Sequence, residues 1–283
     1  MLFYVLDVQI KFSDCHSGEA IIYLGIDKEM SYRTFTGSEW PNEDLILPLG
    51  QHTAGYALGI LLLDEFFWPY MPGDVANATT FDFPVLHKIV EGSNLAKTKR
   101  NESETAHLLI NAAVELQSQG VRAIVGGCGF FGNFQGRLSE SLDIPVFLSS
   151  LMQIPMVLQA IKPRAKVAVL SDINSLTDEL FLACGVKDLD RITKIHSTGL
   201  PETQKQFSSG ALNPKVYLEQ LVTLVEDHIK NNPDVAAIVA EYTEFPTFAY
   251  ALQDTIGMPI FDTTTLAHWV FDSVVRKPFS GRF

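Results

Sequence analysis

The sequence predicts an α/β protein made of two pseudo-symmetric βα-repeat units of Rossmann or flavodoxin-like type, each with a parallel sheet, an active site between them and an N-terminal extension in front. Three observations carry that prediction. From residue 58 onward, short apolar runs alternate with stretches of helical periodicity, the pattern of a parallel sheet covered by helices. The chain has 283 residues, of which 47% are hydrophobic and 19% charged, enough to bury the core of one large domain or two of ordinary size. The second half also repeats the first at a displacement of 114 residues: VRAIVGGCGFFG (121–132) lies over VAAIVAEYTEFP (235–246), and IPVFLSSL (144–151) over MPIFDTTT (258–265), with no gap between them. Apolar matches alone are expected of any two βα units, but Phe131 over Phe245 and Pro145 over Pro259 point to a duplicated unit.

Taken in order, residues 1–50 alternate in places, with Val8, Ile10 and Phe12 apolar and Gln9 and Lys11 polar, and read as an extension with short strands. LGILLLD, from Leu58, reads as a buried parallel strand. The segment from Asp64 to Pro84 is long, irregular and rich in turn residues, and such a loop in a compact domain is more often functional than not. A helix follows at about 103–119, then strands near 121–126 and 144–148, a helix near 151–162 and the strand KVAVLS at 166–171. A short helix begins at Ser175. A longer one follows Asn213 and Pro214, an N-cap with proline at the first helical position; its Leu218, Leu221, Val222, Val225 and Ile229 fall at core-facing helical spacing. Strands at about 235–240 and 258–262 and a helix near 264–275 complete the chain. The expected boundaries are an extension at 1–50, a first unit at 58–162 and a second at 163–283, with termini that can cross over.

The net charge of −12 leaves no basic stripe for nucleic acid, and no wholly apolar run approaches a bilayer span. The N-terminus MLFYVLDVQIKFSD has an acidic residue within its apolar part and lacks the basic start of a signal peptide, so the expectation is a cytoplasmic protein. Cys15, Cys128 and Cys184 are too widely spaced for a disulfide framework or a zinc site, and the seven histidines show no metal-ligand spacing. GCGFFG at 127–132 satisfies GxGxxG. The strand after it, however, ends in Ser149 and Ser150 rather than an acidic residue, and the loop sits mid-chain after a helix, so a nucleotide cofactor is disfavoured and none is expected. The expected partner is a small carboxylate substrate, with self-association into a homo-oligomer admitted.

Cys128 stands between a strand and a helix start, where backbone N–H groups and the helix dipole favour thiolate over thiol. The alternative is a small buried hydrophobe, but flanking glycines suit close approach to a ligand better than filling. The displacement places Tyr242 in the same position in the second unit, so the two are expected to approach a bound substrate from opposite sides. Gly129 and Phe130 bring backbone amides to the thiol loop. Thr243 and Glu244 add a hydroxyl and a carboxylate at a helix start, where capping is an equally good role. Ser149 and Ser150, with Thr264 and its threonine neighbours at matching positions, suit a carboxylate or an N-cap. Asp64 and Asn77 are further candidates, Cys184 reads as packing and Cys15 as incidental.

These motifs carry a family resemblance. PGDVANATTF, GGCGFFGNFQ, IPVFLSSLMQIP and AEYTEFP occur in the order and spacing seen in the aspartate/glutamate racemase superfamily, and most resemble the branch of algal dimethylsulfoniopropionate lyases and uncharacterised bacterial relatives. The resemblance covers about 58–275. It implies a cofactor-independent enzyme with a reactive cysteine on each side of a cleft, acting at the carbon α to a carboxylate. Racemisation is what the family name implies; elimination, decarboxylation or cis/trans isomerisation fit as well, and a silent carboxylate-binding protein is the alternative outside catalysis. The chain departs from the family pattern at one place, where Tyr242 stands in the position of the second cysteine.

Overall fold

A computed structural model describes residues 42, 51–65, 68–171 and 175–282. The short strands expected in 1–50, and Cys15 with them, lie outside the described residues. Two four-stranded parallel sheets form the frame, as predicted. The first contains β1 (Leu58–Leu63), β2 (Val85–Val90), β3 (Ala123–Gly126) and β4 (Val146–Phe147) in the order β2-β1-β3-β4. The second contains β5 (Lys166–Ser171), β6 (Ile192–His196), β7 (Val235–Ala240) and β8 (Ile260–Phe261) in the order β6-β5-β7-β8.

The repeat is exact at the level of register. Ile124 pairs with Val146, and 114 residues on Ile238 pairs with Ile260. Gly127 N–H donates to the Leu61 carbonyl at 2.7 Å, and its counterpart Glu241 N–H donates to the Leu170 carbonyl at 2.8 Å. The residues after β3 and β7 therefore leave their sheets in the same way, at the carboxyl ends where open α/β sheets bind ligands.

The central strands are apolar throughout because helices cover both faces; every residue of β3 is buried. The first unit carries α1 (Leu95–Lys99), α2 (Ser103–Ser118) and α3 (Gln135–Ser141). Next come α4 (Ile154–Ala160), α5 (Asp178–Ala183), α6 (Pro201–Ser209) and α7 (Pro214–Asn231). The last two are α8 (Pro246–Ile256) and α9 (Thr263–Val274). As expected, Asn213 caps α7, its side chain accepting from Val216 N–H at 3.3 Å, and the helix buries Tyr217, Leu221 and Val225 against the second sheet. Each such burial is worth about 1.5–3 kcal/mol.

The two units exchange helices. Ile154, Val157 and Leu158 of α4, which follows β4, pack with Val167 and Val169 of the second sheet. Leu266, Ala267 and Val270 of α9, which follows β8, pack on Leu58, Ile60, Ala123 and Val125 of the first. This reciprocal cover holds the carboxyl ends of both sheets against each other and fixes the cleft between them.

Several elements were not expected from the sequence, each for a physical reason. The strands β2 (VLHKIV) and β6 (ITKIH) sit at sheet edges and are half-exposed, so polar residues interrupt their apolar runs. Helix α6 buries Glu202, Thr203 and Gln206, polar residues that leave no apolar period to read. Helix α5 starts at Asp178 rather than near Ser175, because Thr177 caps it by accepting from Leu180 N–H at 3.2 Å.

Candidate active site

Cys128 follows β3 in extended conformation (φ −154°, ψ 125°) and opens a 3-10 turn over Gly129–Phe134. Its side chain makes no capping bond to that turn. With 8% of its surface exposed, Cys128 faces a narrow cleft together with Gly127, Gly129 and Phe130 of its own loop. Glu241, Tyr242, Thr243 and Glu244, which follow β7, line the same cleft, as do Leu63, Leu95 and Phe207. The cleft encloses about 50 Å³, against roughly 10–15 Å³ needed for one water.

Several ties hold the walls together. Thr243 Oγ1 donates to the Gly127 carbonyl at 3.2 Å, joining the second unit's loop to the thiol loop. The Thr243 carbonyl accepts from Val75 N–H at 3.2 Å, which docks the long loop of the first unit on the same place. Gly73 is essential to that docking: its φ is +105°, and a Cβ there would lie 2.5 Å from the Thr247 backbone at the start of α8. Gly129 has a comparable reason to be glycine, since a Cβ would overlap the Glu241 carboxylate.

Six of the sequence candidates therefore meet at one cleft: Cys128, Gly129, Phe130, Tyr242, Thr243 and Glu244. Their orientations differ from the expected symmetry. Tyr242 is among the lining residues, but its hydroxyl lies 2.9 Å from the Tyr217 hydroxyl, and its ring stacks on Trp68 at 6.5 Å within the second unit's core. Glu241, one residue earlier, lines the same cleft and was not singled out from the sequence. It is 1% exposed, and Ser171 Oγ at the end of β5 donates to its Oε2 at 2.8 Å.

The remaining candidates are not among the cleft-lining residues. Ser150 Oγ donates to the Ala240 carbonyl at 2.6 Å, tying the two units, and Ser149 Oγ caps the next turn by accepting from Leu151 N–H at 3.3 Å. Thr264 Oγ1 donates to Asp262 Oδ1 at 2.8 Å, part of the cap of α9. Asn77 closes its own loop, donating to the Tyr70 carbonyl at 2.8 Å and accepting from Thr79 N–H at 2.8 Å. Asp64 Oδ2 accepts from Gly92 N–H at 2.9 Å, and its side chain is exposed.

Burial pushes Cys184 up to about 12, the Ser149 hydroxyl opposing the rise and Glu241 adding to it, so Cys184 stays a thiol at any physiological pH. Burial also pushes Asp74, in the docked loop, up to about 6 against the lowering effect of Ala76 N–H. Tyr70 is raised first by burial and then by Asp74 and Glu244. Among the described residues no group of His, Cys, Asp and Glu is placed to hold a metal, and no helix is long and apolar enough to cross a membrane.

No family model matches the chain. Among curated proteins, dimethylsulfoniopropionate lyase 6 of Emiliania huxleyi (strain CCMP1516) is 28% identical over 251 residues, covering 85% of this chain and 64% of that protein. The dimethylsulfoniopropionate lyase of Durusdinium sp. clade D is 28% identical over 236 residues, covering 80% of this chain and 77% of that protein. The chain thus spans 64% of the length of the Emiliania relatives numbered 6 and 3. Among solved structures, a cysteine-substituted arylmalonate decarboxylase in a sulfate-associated form aligns with TM-score 0.52 at 15% identity, covering 80% of this chain and 95% of that one. An aspartate racemase homologue from Pyrococcus horikoshii OT3 aligns with TM-score 0.50 at 14% identity, covering 78% and 99%. At these identities the likeness to solved structures is one of fold. The relatives and the fold are those to which the GGCGFF, IPVF and TEFP motifs point.

Proposed function

We propose that this chain, similar to algal dimethylsulfoniopropionate lyases and folded like aspartate racemase homologues and arylmalonate decarboxylase, is a cofactor-independent lyase that removes a proton α to a carboxylate and expels a group from the β carbon. One observation carries the reading. Cys128 faces the cleft from the mouth of a turn, while the position expected to hold a second thiol is a tyrosine whose hydroxyl is bonded to Tyr217. A single strong thiol suits one-sided chemistry, in which carbon need not be reprotonated on its other face.

The Cys128 thiolate takes the α-proton and becomes a thiol. The C–H electron pair forms the Cα–Cβ double bond, and the pair of the bond at Cβ departs with the leaving group. With dimethylsulfoniopropionate, the substrate named by the relatives, the products are acrylate, neutral dimethyl sulfide and a proton on Cys128. Backbone N–H groups of the Cys128 turn hold the carboxylate as charge develops on it. The rings of Phe130 and Phe207 give the cationic end of such a zwitterion a favourable wall.

The test is a panel of small carboxylates, with and without a β leaving group, followed by proton NMR in D₂O. Acrylate formation from dimethylsulfoniopropionate supports the reading. Deuterium entry at the α carbon of a panel member with no elimination from any would replace it with an isomerase reading, and ligand-induced stabilisation with neither reaction would replace it with a binding protein.

A further inference from the structure

Tyr242 occupies the second catalytic position by alignment, yet its polar end is turned into the core. The phenol is 2.9 Å from the Tyr217 hydroxyl, its ring stacks on Trp68 at 6.5 Å and packs edge-on to Phe245 at 5.6 Å, and only 4% of the residue is exposed. The side chain that the second unit does send against the thiol loop is the preceding one. Glu241 is the repeat partner of Gly127, and its carboxylate lies against the backbone of Gly129, where a side chain on Gly129 would overlap it. Ser171, at the carboxyl end of the central strand β5, holds Oε2 at 2.8 Å, while Oε1 is the oxygen a Gly129 Cβ would meet.

We propose that Glu241, oriented by Ser171, and not Tyr242, is the proton-exchange partner of Cys128 in this cleft. The inference rests on the lyase reading above and deepens it. The step balances as a proton transfer: the Cys128 thiol gives its proton to the Glu241 carboxylate, leaving thiolate and carboxylic acid, and after the thiolate has taken the α-proton the acid returns its own proton to solvent. Ser171 is a positioning residue in this account. Its hydroxyl donates to one oxygen and so aims the other.

Two measurements on the full chain in a Cys15→Ser background test this, the first independent of turnover. The pH profile of iodoacetamide alkylation reads Cys128, because Cys184 is buried and held as a thiol. Removing a facing negative charge makes thiolate easier to form, so Glu241→Gln moves the alkylation midpoint to lower pH, while Tyr242→Phe leaves it in place. The second measurement is kcat for elimination. Glu241→Gln loses on the order of 10²–10⁴-fold in kcat, the usual worth of a proton-transfer group, because Cys128 no longer hands its proton on after each elimination even though more of it starts as thiolate; Tyr242→Phe, which removes only the core-facing hydroxyl, loses far less. Should Glu241→Gln fail to fold, Ser171→Ala takes its place, with a loss in kcat at unchanged KM.

An unchanged alkylation midpoint in Glu241→Gln, or an equal loss of turnover in Tyr242→Phe, overturns the proposal. If the wild type turns over no panel member, the lyase reading fails by itself. The alkylation profiles then still decide whether Glu241 faces Cys128.

Discussion

The hydroxyls of Tyr217 and Tyr242 meet at 2.9 Å, both in side chains that are almost wholly buried. A buried hydroxyl left without its partner costs about 1–3 kcal/mol, and the loss of both together costs less than the sum. Tyr217→Phe and Tyr242→Phe are each expected to lower stability in urea by that amount, with Tyr217→Phe/Tyr242→Phe less than additive. Additive losses would show that the two hydroxyls are not coupled.

Gly129 is predicted to be intolerant of a methyl group. Gly129→Ala drives a Cβ into the Glu241 carboxylate, and either the thiol loop or Glu241 must move. A displacement of about 1 Å at a reacting group costs on the order of 10²-fold in rate. Gly136, in α3, has nothing within 4 Å of its added Cβ, so Gly136→Ala serves as the control and keeps full turnover. Equal kinetics for both variants would contradict the close approach of the two loops.

The docked loop predicts a pH dependence of stability. Asp74 has a folded value of about 6 against an ordinary 3.8, so the native state binds its proton more tightly than the unfolded chain. The contribution is therefore fully present below the ordinary value and is lost as pH rises through about 6, by roughly 3 kcal/mol at 1.4 kcal/mol per unit. Asp74→Asn keeps an oxygen for Ala76 N–H and does not titrate. Its stability relative to wild type is expected to increase between pH 4 and pH 7, as read by urea unfolding at each pH, and a constant difference would count against a buried carboxyl.

Much of this architecture is legible in the sequence because it rests on repetition. The displacement that aligns Pro145 with Pro259 also sets the Ile124–Val146 and Ile238–Ile260 pairings, and it brings Cys128 and Tyr242 to equivalent strand ends. What escapes reading does so where context overrides residue type. The edge strands β2 and β6 carry His87, Lys88 and Lys194 because one side of each is open to water. Ser150, Thr264, Asn77 and Asp64 are hydroxyl and carboxylate bearers with the right chemistry for a ligand, but caps and ties between loops take up their side chains. Glu241 was hidden by the opposite effect. Aligned with Gly127 it looks like a mismatch, and only the packing shows a carboxylate resting on glycine backbone at the next position.

The central claim is that Cys128 removes a proton α to a carboxylate, and Cys128→Ala is its most direct probe. Wild type and variant, matched in melting temperature, are incubated with dimethylsulfoniopropionate in D₂O and followed by proton NMR for acrylate and for deuterium at the α carbon. The account predicts acrylate from the wild type and a fall of at least 10³-fold in Cys128→Ala, of the size seen when a nucleophile or base of a catalytic unit is removed. Acrylate formed at the wild-type rate by Cys128→Ala would contradict it.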